Sequence, residues 1–217
     1  MGRESRDEFN ESLAPEVADS MTMGNTILWN SVNVNDPDGS YGENPKNVGF
    51  QEVPWAMNVA KDYKATRGEW FWEYGLTKNT IYDAEEIRDH MFRAIYGNWY
   101  NVKQDPANAG LRLKWMAYIA GKRESRRIMG DYILKESDII DKPDFEDGFV
   151  QEVRAIDIHF PREGKYDFLS EAKFTKIEQY KIPYRCLYSK DIDNLFMAGR
   201  CFSATHVGMG SPRVMHT

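Results

Sequence analysis

The stretch LFMAGRCFSATHVGMGSPRVMHT, residues 195–217, decides how the rest of the chain is read. Its apolar start, Leu195-Phe196-Met197-Ala198, predicts a short strand that runs into Gly199-Arg200. A loop of small and polar residues follows, with glycines at 208 and 210, and Ser211-Pro212-Arg213-Val214-Met215 then reads as the opening of a helix. A strand that ends at glycine and feeds a small-residue loop is how α/β folds bring backbone against a bound ligand.

Three more stretches belong with it: GRESRDEFNESLAP (residues 2–15), RESRRIMGDYIL (123–134) and IPYRCLYSKDIDNL (182–195). Together the four resemble a bacterial family of FAD-dependent oxidoreductases, and they run from one end of the chain to the other. The resemblance implies a mixed α/β (α+β) fold, in which an antiparallel-sheet substrate domain carries flanking helices. It also implies the expected divisions: residues 1–20 an arm, 21–180 the substrate-side domain, and 181–217 a strand and loop of a Rossmann-like FAD domain. Family members usually carry threonine where this chain has Pro212; proline is tolerated in a first helical turn but removes one backbone donor.

A dinucleotide-binding flavoprotein also needs a strand, a G-x-G-x-x-G turn and a helix, so that backbone N–H groups reach the pyrophosphate. No such motif occurs in these residues; Gly208-Met209-Gly210 lacks the strand–turn–helix setting. The expectation is a middle and late part of a longer flavoprotein, which by itself neither holds FAD nor turns over. An apolar surface left for the absent domain would favour a homodimer.

At 217 residues the chain can bury a sizeable core. A net charge of −6 speaks against nucleic acid, whose phosphates need a basic face. No apolar run approaches the ~20 residues of a membrane span. Cys186 and Cys201 have neither metal spacing nor a disulfide framework and read as free thiols. The compartment stays open.

Along the chain, residues 22–34, 70–74, 125–134, 153–160, 182–187 and 195–198 read as strands from their β-branched and aromatic content or their alternation. Residues 35–47 are turn-rich, with Asp36-Pro37-Asp38-Gly39 at their start. Asp83 predicts an N-cap. Ile87, Met91, Ala94, Ile95 and Trp99 then follow at helical spacing to about residue 103. Residues 108–120 read as a second helix, and 137–140 as a short helical turn.

The resemblance implies FAD contacts at Gly199, Arg200, Ser203, Ser211, Arg213 and Val214. His206, in the loop beyond, can orient substrate or move a proton near neutral pH. Arg126 and Arg127 face opposite ways if their stretch is a strand, so one of them at most enters a site. They and Arg185 could grip a carboxylate or an anionic flavin, or could instead form buried ion pairs with Glu124, Asp131 or Glu152. His90 and His159 read as structural.

Tryptophans and tyrosines concentrate between residues 55 and 118. Trp70 and Trp72, two apart, would share a strand face and could floor a pocket for a small-molecule substrate. An alternative is a carbohydrate-binding or polysaccharide-processing module that uses Trp70, Trp72 and Trp99. Acidic residues are plentiful, but no pair is marked by spacing.

Overall fold

The computed structural model describes residues 2–34, 54–162 and 164–214, apart from the side chains at 54, 55 and 57. The turn-rich stretch 35–47, the Trp55 ring and Met215 lie outside the described residues. The expected mixed α/β class holds. The single expected sheet, however, is four small antiparallel sheets of two or three strands each among the described residues.

The long helix Ala84–Lys103 forms where the apolar spacing places it, and it buries Ile87, Met91, Ala94, Ile95 and Trp99. Asp83 holds the N-cap position without capping: its Oδ2 accepts from the Asn79 N–H at 2.9 Å instead. The helix Pro54–Ala60 crosses closely at Gly97, where a Cβ would stand 2.5 Å from the Ala56 carbonyl oxygen. Only glycine permits that approach.

Residues 108–120 are not a second helix. A 3-10 turn, Pro106–Asn108, leads into a strand, Leu111–Met116, that pairs antiparallel with Trp29–Asn33. Leu111, Leu113 and Trp115 fit a period of two as well as their neighbours fit a helix, and the available partner strand decides. The expected strand 22–34 also splits: Asn25–Thr26 and Trp29–Asn33 belong to different sheets. Around them lies an aromatic core of Trp29, Trp72, Trp99 and Phe168. Trp29 meets Trp72 edge to face with ring centroids 5.1 Å apart, a favoured aromatic geometry.

A second core joins the strands Ile156–Pro161 and Tyr180–Pro183, the helix Glu136–Asp141 and the region around Val207 and Met209. It draws on Ala14, Ile156 and Phe202 together, so the stretches expected as arm, substrate-side domain and FAD-side segment share one apolar interior. The strands Gly148–Glu152 and Ser170–Thr175 are too short and too polar to stand out in the sequence.

Three expected strands are weaker than their sequences suggest. Residues 125–134 and 195–198 make single bridges only, Leu134 to Ala204 and Tyr188 to Phe196. In the first of these, Gly130 is pressed against the Arg185 carbonyl oxygen, 2.5 Å from where a Cβ would sit. Hydrogen bonds there reach scattered partners such as Cys201 O and Ser203 O. Residues 182–187 remain a strand only to Pro183, then tighten into the 3-10 turn Tyr184–Cys186.

Candidate functional site

Gly199 turns the chain with φ of +91°, a conformation that disfavours any other residue, and among the described residues nothing lies within 4 Å of where its Cβ would be. The backbone at this point therefore faces open space. Arg200 ties the two limbs of the loop together: Nε donates to the Arg213 carbonyl at 3.1 Å, and Nη1 donates to the Lys122 carbonyl. The helical turn opens at His206 rather than at Ser211 and covers His206–Met209. Thr205 sets that start, because its Oγ1 accepts from the Gly208 N–H at 2.8 Å. Residues 211–214 are turns. Ser211 is fully buried and its hydroxyl is already engaged, donating to Arg154 O at 2.5 Å and accepting from Tyr180 at 2.9 Å. Ser203 is buried with an unpartnered Oγ.

This loop divides two openings. On one side is an apolar groove of about 250 Å³, lined by Met197, Ala198, Gly199, Pro212 and Val214 among others. On the other is a cavity of about 350 Å³ lined by Trp70, Trp115, Lys122, Arg123, Arg200 and Arg213 among others. Gly199 and Arg200 are consecutive but line different openings, and so do Pro212 and Arg213.

Beneath the cationic cavity lies a buried charge cluster. The strand Ile156–Pro161 sends Ile156 and Ile158 into the apolar core and carries Asp157 and His159 between them. His159 places Nδ1 2.5 Å from Glu73 Oε2 and Nε2 3.2 Å from Asp157 Oδ1. Ser170 donates to Glu73 Oε2 at 2.6 Å, and Arg213 pairs with Asp157 Oδ2. Arg123 donates to Thr26 Oγ1 at 2.7 Å and to the Trp70 carbonyl.

Burial alone would push His159 toward neutrality, but its hydrogen bonds to the Asp157 and Glu73 carboxylates outweigh it and raise its pKa above the ordinary 6.5. Burial works the other way on Glu73 and Asp157, yet His159 and the neighbouring guanidiniums hold both below the usual carboxylate range. A charged His159 donates to both acids, so its close approaches to Arg123 and Arg213 are contacts between like charges rather than hydrogen bonds. Burial depresses Arg123 and brings Arg213 down to about 10.

His206 and Arg127 belong to a different buried network. His206 Nδ1 sits 2.9 Å from Glu124 Oε2, and Arg127 pairs with Glu124 and with Glu4, the latter at 2.5 Å. Glu4 Oε2 accepts from the His206 backbone N–H at 2.8 Å. Burial tends to raise the Glu124 carboxyl, but the His206 and Arg127 charges hold it below its ordinary value. Arg127 thus takes the ion pair with Glu124 that the sequence leaves open.

Arg126 is exposed beside the Tyr82 hydroxyl at 3.3 Å, and Arg185 is paired with Asp147 at 3.0 Å. None of His206, Arg126, Arg127 and Arg185 lines either opening. Of the aromatic candidates, Trp70 is 41% exposed and walls the cavity, whereas Trp72 and Trp99 lie in the core at 0% and 2%. The chain turns at Trp70 and Phe71, so alternation does not carry Trp72 onto the same face, and the three tryptophans form no shared platform.

Sequence reading passed over Glu73, Arg123, Asp157 and the importance of His159. One signal was available: Asp157 and His159 are two apart on a strand otherwise apolar on both sides, where unpaired polar groups would not be tolerated.

A glycine turn shared by an apolar groove and a cationic cavity places two openings of different chemistry side by side. The chain belongs to the FAD dependent oxidoreductase family, whose family model matches residues 1–217. No curated protein and no solved structure matches it. The residues present fit the flavin: the open backbone at Gly199 and the apolar edge formed with Pro212 and Val214 offer a surface without competing charge.

Proposed function

We propose that this chain forms the substrate-facing part of an FAD-dependent enzyme that moves a hydride between a small organic molecule and the flavin. The observation that carries the reading is the shared wall: residues 199–200 and 212–213 each turn one neighbour to the apolar groove and the other to the cationic cavity. When bound, the flavin supplies the two-electron chemistry.

The chain's own residues do the positioning. Gly199, Pro212 and Val214 would hold the flavin along the groove that they line, and Arg200 holds the turn by its bonds to two backbone carbonyls. Arg213 keeps a positive charge one residue away from the groove, favouring negative charge that develops there. Trp70 closes the substrate side. His206 and Arg127 act at a distance by fixing the loop to the arm through Glu4 and Glu124.

The test is flavin absorbance near about 450 nm in the purified full-length gene product. Substitution Gly199→Val, which puts a branched side chain at a positive φ on the groove, is expected to lower bound flavin at least tenfold. Absence of flavin from the wild-type product refutes the reading.

A further inference from the structure

The cavity beside Trp70 has a charge balance that the redox reading alone does not explain. Lys122, Arg123, Arg200 and Arg213 line it, and among the described residues no acidic side chain does. The nearest carboxylates, Glu73 and Asp157, lie beneath it, almost wholly buried, and are engaged by His159, Ser170 and Arg213. Among the described residues neither Lys122 nor Arg200 forms an ion pair with a carboxylate. Arg200 directs Nε and Nη1 to backbone carbonyls. Arg213 is nine-tenths buried, lines the cavity and has an Nε with no acceptor.

This concentration of cations stands in a chain whose net charge is −6, so it is a local feature and not a reflection of overall composition. The remaining wall is apolar and open to solvent: Trp70, Trp115 and Ile119 are 41%, 46% and 67% exposed. Exposed aromatic walls around grouped guanidiniums match a ligand with an apolar body and an anionic head. The volume of about 350 Å³ lies at the small end of ligand pockets.

We infer that this cavity is a receptor for a small organic carboxylate, with Arg200 and Lys122 meeting the carboxylate and Trp70 and Trp115 flanking the apolar body. Its identity as the substrate site rests on the flavoenzyme reading; its preference for an anion does not. Arg213 and Arg123 stand behind the first pair and keep the floor positive. Burial depresses both guanidiniums, and each keeps a carboxylate near it: Arg213 pairs with Asp157, and Arg123 stands 3.9 Å from Glu73. With Nε and Nη1 on backbone carbonyls, Arg200 offers a carboxylate its charge and its remaining N–H groups, an attraction that a neutral amide of the same shape cannot reproduce.

The experiment is fluorine NMR of 4-fluorobenzoate and its neutral counterpart 4-fluorobenzamide, each titrated into the full-length protein, with flavin absorbance recorded on the same sample. Saturable broadening of the benzoate signal is expected, with the benzamide binding at least tenfold more weakly. Arg200→Gln should weaken the benzoate about tenfold, and Arg200→Lys should restore part of the loss. Lys142→Gln removes an exposed lysine outside the cavity and should change nothing.

Equal binding of the two probes, or undiminished benzoate binding by a folded Arg200→Gln protein, overturns the inference. Should Arg200→Gln fail to fold, Lys122→Gln at an exposed strand position carries the same test, with a severalfold loss expected. Benzoate selectivity without flavin upholds the anion site and removes its redox role. Flavin present without benzoate selectivity overturns the anion site alone.

Discussion

His159 Nδ1 and Glu73 Oε2 meet at 2.5 Å with both side chains shut off from solvent, 86 residues apart in sequence. Glu73 comes from the strand Glu73–Tyr74, just after the turn that exposes Trp70, and His159 from the strand Ile156–Pro161. The pair fastens the aromatic half of the molecule to the half that carries the glycine turn. It also fixes the floor of the cationic cavity, because Arg123 and Arg213 pack on the same imidazole.

The pair makes stability depend on pH in two directions. His159 has a folded pKa above 6.5, so its contribution is complete below that value and disappears as pH rises through the folded pKa. Glu73 and Asp157 have folded pKa values below 4.5 and 3.8. Their contribution is present above those values and is lost as pH falls through the folded ones. Thermal unfolding followed by circular dichroism should therefore show a plateau in mildly acidic solution and a decline above neutrality. In His159→Gln the decline above neutrality should flatten; an unchanged slope would assign it to other groups.

Removing one partner from this cluster should be severe. Glu73→Ala leaves a buried imidazolium and the Ser170 hydroxyl without their acceptor, and a loss of about 3–5 kcal/mol is expected in urea unfolding. Ser170→Ala, which deletes a single donor, should cost about 1 kcal/mol.

The two loop glycines should respond differently to alanine. A Cβ at Gly208 would stand 2.1 Å from the Leu134 carbonyl oxygen, so Gly208→Ala forces backbone apart and should destabilise by about 1–3 kcal/mol. At Gly199 there is room, and only the positive φ opposes the change, at about 1–2 kcal/mol. Bound flavin should fall in both, but unfolding measurements should rank Gly208→Ala as the more damaging.

Trp70 and Trp72 should separate cleanly in function and stability. Trp72→Ala opens a hole among Trp29, Tyr63 and Phe168 and should cost about 3–5 kcal/mol. Trp70→Ala takes away a half-exposed ring and should alter stability by about 1 kcal/mol or less, while abolishing most ligand binding in the adjoining cavity. Chemical denaturation paired with a binding titration distinguishes the two roles.

Sequence carried the long helix well because Ile87, Met91, Ala94, Ile95 and Trp99 repeat at one period and no partner strand competes for them. It failed at Leu111–Met116, where the apolar positions satisfy two periods and a distant strand makes the choice. A bulge between Asn30 and Ser31 further obscures the alternation. Gly199, Arg200 and Arg213, which line the two openings, could be named from the sequence because the family resemblance falls on the one short stretch that holds them. The charge cluster could not, since Thr26, Glu73, Arg123 and His159 come from four separate parts of the chain. Nothing local in any of them announces the others. Trp72 misled because a period of two was assumed across residues that form a turn.

The link between Glu4 and His206 spans 202 residues, and that between Glu11 and Thr205 spans 194. Contacts so distant along the chain close late in folding, after local helices and hairpins have formed. During synthesis, Glu4, Glu11 and Glu124 must wait for residues 205 and 206 to leave the ribosome before their shared network can assemble. The glycine turn is consequently among the later parts of the described structure to acquire its shape, and residues some two hundred positions before it hold it there.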